Sequence, residues 1–274
     1  MRIFSIGSDD ARGYDQQVLP LIRRMPNLKE LTLGLTVTRM TFIDGVHLNT
    51  EILTRLSKLT KFIFHIYTTM PLIYPHDDRS TDDVQKTFAH WKYGRVNCHV
   101  DYFEDKAGQC HIYSIPYTME RITGVTNNFF GNSFHLVTDL WLFDIRPFEH
   151  VFFNWISRAS PLLKYLTINN KTQQEHNAET ESLGKSQTST NHFPRLTRIT
   201  LINAHTNYVN EFFCRTKSHV PRLSSLRINY EKLVTVTKNF TSDSTRFNCA
   251  QLKKLLVEEK MVYPRCFYEY FPLL

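Results

Sequence analysis

An apolar phrase of the form L-x-x-L-x-L returns along this chain, and its spacing narrows the possible folds more than any other feature. It reads Leu28, Leu31, Leu33, then Leu59, Phe62, Phe64, then Leu136, Leu140, Leu142. It continues as Leu163, Leu166, Ile168, as Leu196, Ile199, Leu201, as Leu223, Leu226, Ile228, and as Leu252, Leu255, Val257. Pro26, Pro161, Pro194 and Pro221 each stand two residues before a copy. The first apolar positions, 28, 59, 136, 163, 196, 223 and 252, are separated by steps of 31, 77, 27, 33, 27 and 29. A unit of this length cannot bury its own apolar side, so successive units stack and share one elongated core. The expectation is an α/β fold: one irregular leucine-rich-repeat-like solenoid over residues 1–274, with parallel strands and crossover helices. A scaffold of this kind suits recognition better than a single catalytic pocket.

Segments of helical period lie between the strand phrases. The clearest runs from Pro147 to Ala159, where Phe148, Val151, Phe152, Trp155, Ile156 and Ala159 form a one-sided stripe. Pro147 suits the first turn and Pro161 stops the helix. Weaker stripes are Val18, Leu21, Ile22, Met25, then Ile52, Leu53, Leu56, and Val209, Phe212, Phe213. Val84, Phe88 and Trp91 make another, opened by a Ser80/Asp83 capping pair. Strand, loop, helix, strand is the grammar of parallel strands joined by right-handed crossovers.

The step of 77 contains two β-prone runs, Arg95–Phe103 and Gln109–Tyr117, around the turn residues 104–108. They read as an inserted hairpin at about 95–117, replacing or decorating one repeat. Residues 169–191 are polar, with few apolar side chains, and read as a disordered loop. Pro71 to Ser80 has the composition of a shorter loop. Ile3-Phe4-Ser5-Ile6 reads as the tail of an earlier phrase, and Phe271-Pro272-Leu273-Leu274 as the opening of a further repeat. The expectation is a piece of a longer array, or an array whose edges another element covers.

No apolar run approaches the ~20 residues that span a bilayer. Met1 to Gly13 lacks the apolar segment of a secretory signal. The five cysteines, at 98, 110, 214, 249 and 266, are scattered and odd in number, which suits reduced thiols. The reading is an intracellular protein, cytoplasmic or nuclear. A net charge of +7 favours acidic partners, and dispersal of the basic residues makes a nucleic-acid arm the lesser reading.

Several stretches resemble the irregular leucine-rich-repeat-like region of a divergent group of invertebrate F-box proteins. They are Leu19-Pro20-Leu21-Ile22-Arg23-Arg24-Met25-Pro26-Asn27-Leu28, Cys110-His111-Ile112-Tyr113-Ser114, Pro147-Phe148-Glu149-His150 and Phe271-Pro272-Leu273-Leu274. The resemblance implies the substrate-recognition part of a Cullin-RING ubiquitin ligase. In that family an F-box, when present, precedes the repeats and docks a Skp1-type adaptor. No F-box is visible here, so the adaptor is implied only for a longer form that carries one. Leu48-Asn49-Thr50-Glu51-Ile52-Leu53 has a Glu-Ile-Leu core without the Leu-Pro entry. It reads as a repeat helix, with an F-box remnant as the alternative.

Cys98-His99 and Cys110-His111 invite a zinc reading. Pairing Phe103 with Gln109 sets Cys98 opposite Ser114 and Cys110 opposite Tyr102. The thiols would then lie about 13 Å apart along one face, too far for one ion. His111 would face Asp101 across the ladder. No metal or other cofactor is expected. The chain has no G-x-S-x-G, P-loop or G-x-G-x-x-G pattern, and enzymatic function is not expected.

In L-x-x-L-x-L the residues flanking the second apolar position point away from the core. The expected binding face therefore carries Lys61, Trp141, Tyr165, Arg198, Arg227 and Lys254, with His65 and Phe143 continuing the same side past the phrase. Aromatic side chains with arginine are the composition of binding hot spots. The alternative is that Trp141 and Phe143 lie under the hairpin or a loop in a second small core. The function read from these residues is a protein-interaction module for an acidic protein target, with a basic nucleic-acid-binding solenoid as the alternative.

Overall fold

The computed structural model describes residues 3–8, 13–71, 77–103, 107–175, 190–257 and 263–274. They form an α/β structure with largely parallel sheets, divided into two units, Met1–Met119 and Glu120–Leu274.

In the first unit, β1 (Ile3–Ser8), β2 (Glu30–Thr38) and β3 (Lys61–Thr69) lie parallel. The hairpin strands β4 (Arg95–Tyr102) and β5 (Gly108–Ile115) extend the same sheet, in the order β1-β2-β3-β5-β4. β5 runs antiparallel to β3, at the place where another parallel repeat strand would pair. The helices are short: α1 (Leu19–Arg23) behind a π turn at Tyr14–Val18, α2 (Gly45–Glu51) and α3 (Thr81–Lys86). The expected capping box forms at α3, where Ser80 and Asp83 bond reciprocally to each other's backbone N–H. α2 covers most of the Leu48–Leu53 string, and Asp44 caps it by accepting from His47 N. Leu31, Leu33, Phe62, Phe64, Leu48 and Ile52 belong to the core of this unit.

In the second unit, six parallel strands stand in the order β13-β12-β10-β8-β7-β6. They are β6 (Arg121–Val125), β7 (Asp139–Phe143), β8 (Tyr165–Asn169), β10 (Arg198–Ile202), β12 (Ser225–Arg227) and β13 (Lys254–Leu256). A separate two-stranded parallel ladder is made by β9 (Asn191–His192) and β11 (Ser218–His219). The helices are α4 (His150–Ala159), α5 (Thr206–Phe213), α6 (Tyr230–Val236), α7 (Asp243–Cys249) and α8 (Arg265–Tyr270).

Every copy of the phrase enters a strand, and each does so through the same turn. The first apolar residue donates its N–H to the carbonyl three residues back: Leu28 to Met25, Leu59 to Leu56, Val137 to Phe134, Leu163 to Ser160, Leu196 to Phe193, Leu223 to Val220 and Leu252 to Cys249, at 3.0–3.4 Å. One carbonyl just before most of these strands then accepts two N–H groups from the next copy. Lys29, Thr138, Lys164, Thr197 and Ser224 each do so, as does Glu120, at 2.7–3.1 Å. This satisfies backbone donors that would otherwise be lost on stacking.

The turn also corrects the frame of the third copy. Val137, fully buried, occupies the first apolar position, while Leu136 is 46% exposed. The phrase there is V-x-x-L-x-L, and a one-residue shift of frame exchanges inside for outside. α4 begins at His150 rather than Pro147, with Glu149 at its N-cap, and its stripe is rotated. Phe153 is buried and Val151 is 64% exposed, because the core reaches this helix from two directions and Phe153 meets Tyr208 and Phe212. In α1 the same exchange buries Leu19 and exposes Leu21.

The hairpin register is also offset from the expected one. Cys98 lies opposite Ile112, Cys110 opposite Val100, and His111 opposite His99 rather than Asp101. Gly108, expected in the turn, is the first residue of β5 and pairs with Tyr102. A two-residue slip conserves the faces, so both thiols still share one side. Turn residues 104–106 lie outside the described residues, as do 72–76 of the Pro71–Ser80 loop. The stretch 169–191, expected as a disordered loop, is ordered at both described ends. Asn170, Gln174 and Asn191 are buried, and 176–189 lie outside the described residues. Phe271, expected to open a repeat, follows α8 and packs against Phe240 and Phe267.

Candidate functional site

The outward residues of the second unit fall into rows, because its strands are parallel and in register. One row runs Arg121, Asp139, Tyr165, Arg198, Ser225, Lys254. The next, two residues further along each strand, runs Trp141, Thr167, Thr200, Arg227, Leu256. A third holds Phe143, Asn169 and Ile202. Strands lie about 4.8 Å apart and rows about 6.6 Å apart, so Arg198, Arg227 and Lys254 are spaced by roughly 8 Å. That is about a Debye length at physiological salt, and their fields add.

The face is open. Trp141 is 41% and Tyr165 38% exposed, Arg198, Arg227 and Lys254 are exposed, and Phe143 is half-buried. The guanidinium of Arg198 sits over the Tyr165 ring, 5.0 Å from its centroid. This attraction orients both side chains across the β8–β10 pair. Asp139, an acid of the first row, is paired with Arg121 at 2.9 Å. Among the described residues Arg198, Arg227 and Lys254 form no ion pair, so the face carries net positive charge. Thr167 and Thr200, half-exposed, stand between Trp141 and Arg227 in the second row. Chemically this surface can take up an acidic group beside an apolar one. Arg121 escaped the sequence reading because β6 lacks the L-x-x-L-x-L phrase; the apolar pair Ile122 and Val125 was its only signal.

Lys61 and His65 belong to the first unit and stand differently. Lys61 is exposed, pairs with Glu30 at 3.4 Å, and borders a shallow cleft of about 290 Å³ with Lys92, Tyr93, Ile115 and Pro116. His65, expected on an open face, is only 6% exposed. β5 sets Tyr113 directly across from it, and Tyr117, just beyond the hairpin, stands edge-on to its ring. Nδ1 of His65 is hydrogen-bonded to the Tyr117 hydroxyl and Nε2 to Nδ1 of His111, each at 3.1 Å, so one ring nitrogen of the neutral imidazole donates and the other accepts. Tyr67 stacks on His111 with centroids 4.2 Å apart. Burial depresses the pKa of His65 to about 3 and that of His99 to about 4, so both imidazoles are neutral. The covering by hairpin and loop that the sequence offered as an alternative for Trp141 and Phe143 thus falls on His65.

The hairpin thiols are buried, and desolvation pushes Cys98 up to about 12 and Cys110 well above its ordinary value. Neither is a thiolate at neutral pH. Among the described residues no group of three or more His, Cys, Asp or Glu side chains converges as a metal site. No described helix is long and apolar enough to cross a membrane. Compared with protein-family models, with curated proteins and with solved structures, the chain matches none, and its site is read from geometry.

Proposed function

We propose that this chain is a protein-interaction module of the leucine-rich-repeat kind, and that the six-stranded face of Glu120–Leu274 binds an acidic segment of a partner protein. The observation that carries the reading is the in-register row in which Tyr165 and Arg198 stack, flanked by exposed Trp141, Arg227 and Lys254. Exposed aromatic anchors beside unpaired cations are costly to leave bare and suited to a hot spot. The repeated turn and the doubly accepting carbonyls support a repeat array. The resemblance to F-box recognition regions supports the role of substrate receptor in a ubiquitin ligase, with a longer form engaging the Skp1-type adaptor. Binding, not catalysis, is the activity assigned to this face.

A displayed library of random twelve-residue peptides tests it. Selection on the wild-type chain is expected to enrich peptides with Asp or Glu next to an apolar residue. Arg198→Glu combined with Trp141→Ala is expected to weaken the selected peptides at least about tenfold, with the circular dichroism spectrum unchanged. Peptides indifferent to both substitutions would remove the face from consideration. The same aromatic and cationic groups could stack and neutralise a single strand of nucleic acid. Binding of a twelve-nucleotide strand with steep salt dependence, and no acidic peptide, would establish that reading instead.

A further inference from the structure

We propose that His192 and His219 form a two-histidine site for a late first-row divalent ion, Cu(II) above all, bridging β9 and β11. The pair arises from the repeat itself. Asn191-His192-Phe193-Pro194-Arg195-Leu196 and Ser218-His219-Val220-Pro221-Arg222-Leu223 are two versions of one string, 27 residues apart. The parallel ladder sets His192 directly beside His219. Both rings are exposed, and their Nδ1 atoms are 3.0 Å apart with the ring planes inclined by only 26°.

Two imidazole nitrogens at that separation, each with a metal bond of about 2.0–2.1 Å, subtend roughly 90° at a shared ion. That is the angle between adjacent positions of a tetragonal site, not the wider angle of tetrahedral zinc. Imidazole nitrogen and tetragonal geometry together favour Cu(II), followed by Ni(II), in the stability order of these metals. Among the described residues no carboxylate or thiol joins the pair to make a three-residue group, so water completes the coordination. Binding needs both rings protonated on Nε2, and it competes with the single Nδ1–H···Nδ1 hydrogen bond that otherwise joins them. An ion held here links two consecutive repeats on a ladder separate from the six-stranded sheet, independently of the face assigned to the partner.

The test is a Cu(II) titration of the purified chain, followed by visible absorption and electron paramagnetic resonance. Wild type is expected to bind one ion with two equatorial imidazole nitrogens and to gain thermal stability. His192→Ala and His219→Ala should each weaken binding at least about tenfold, and the double variant should lose little more, because one nitrogen alone makes no chelate. His135→Ala, at an exposed histidine outside the ladder, serves as the control and should bind as wild type. Since both residues are surface-exposed, the variants should retain the wild-type circular dichroism spectrum. A bound ion unaffected by the two single substitutions, or no ion bound at micromolar Cu(II), overturns the site and leaves a hydrogen-bonded pair only.

Discussion

The two units start from the same phrase and treat the outer face of their strands differently. In Glu120–Leu274 each repeat strand meets another parallel strand, and the outward side chains of Trp141, Tyr165, Arg198, Arg227 and Lys254 remain at the surface. In Met1–Met119 the third strand meets the hairpin. Lys61 of β3 stays exposed, but the outward residues further along the strand, His65 and Tyr67, join His111, Tyr113 and Tyr117 in a polar aromatic cluster. The lesson is that a strand's own alternation decides which side chains leave the core. Whether they reach water depends on residues about fifty positions away in the chain.

A charge placed on an outward position of β3 and on one of β10 should separate the units most sharply. His65→Lys buries an unpaired ammonium and should destabilise the protein by about 3 kcal/mol or more. Thr200→Lys, half-exposed on the open face, should change stability by no more than about 0.5 kcal/mol. Denaturant unfolding of the two variants decides it, and equal costs would dissolve the distinction.

Acid should act next, and through the first unit. The folded His65 and His99 hold pKa values of about 3 and about 4, below the ~6.5 of an unfolded imidazole. Between those values the unfolded chain binds more protons, so stability is fully present above pH ~6.5 and declines as pH falls. By pH 5 the loss should be about 2 kcal/mol for each residue. His65→Gln should flatten part of the pH profile of the unfolding midpoint, whereas substitutions on the open face should leave it parallel to wild type.

The smallest effect belongs to the open face itself. A double-mutant cycle with Tyr165→Leu and Arg198→Met should return a coupling of about 0.5–1 kcal/mol. A coupling of zero would mean that the ring and the guanidinium are neighbours without mutual orientation, and would weaken the case for a pre-arranged hot spot.

The phrase placed seven strands in order, and the composition of residues 95–117 announced the hairpin that interrupts them. The Ser80/Asp83 cap was equally legible, since both partners lie within one turn. Errors arose where a local pattern had two near-equal solutions. Leu136 and Val137 are adjacent apolar residues, and only the turn through Phe134 selects the second. Val151 and Phe153 compete for the inward side of α4, and Tyr208 and Phe212 select the larger ring. The hairpin register differs by two residues from the expected one because its turn chemistry permits more than one loop length. The His192/His219 pair was written in a repeated string, yet counting leucines passed over the polar residue just ahead of each phrase.

By itself, the sequence determined the seven phrase strands and the hairpin pair, their α/β arrangement and the alternation that turns cations and aromatics outward, because each depends on side chains within a few residues. Only the tertiary structure decided which outward residues stay open. That choice depends on strand partners brought together from distant positions, as β5 is to β3, and no local period records it. Arg198 over Tyr165 and His192 beside His219 are likewise products of register between strands. The repeated phrase supplied the residues, and the pairing of the strands set the distances that give them chemistry.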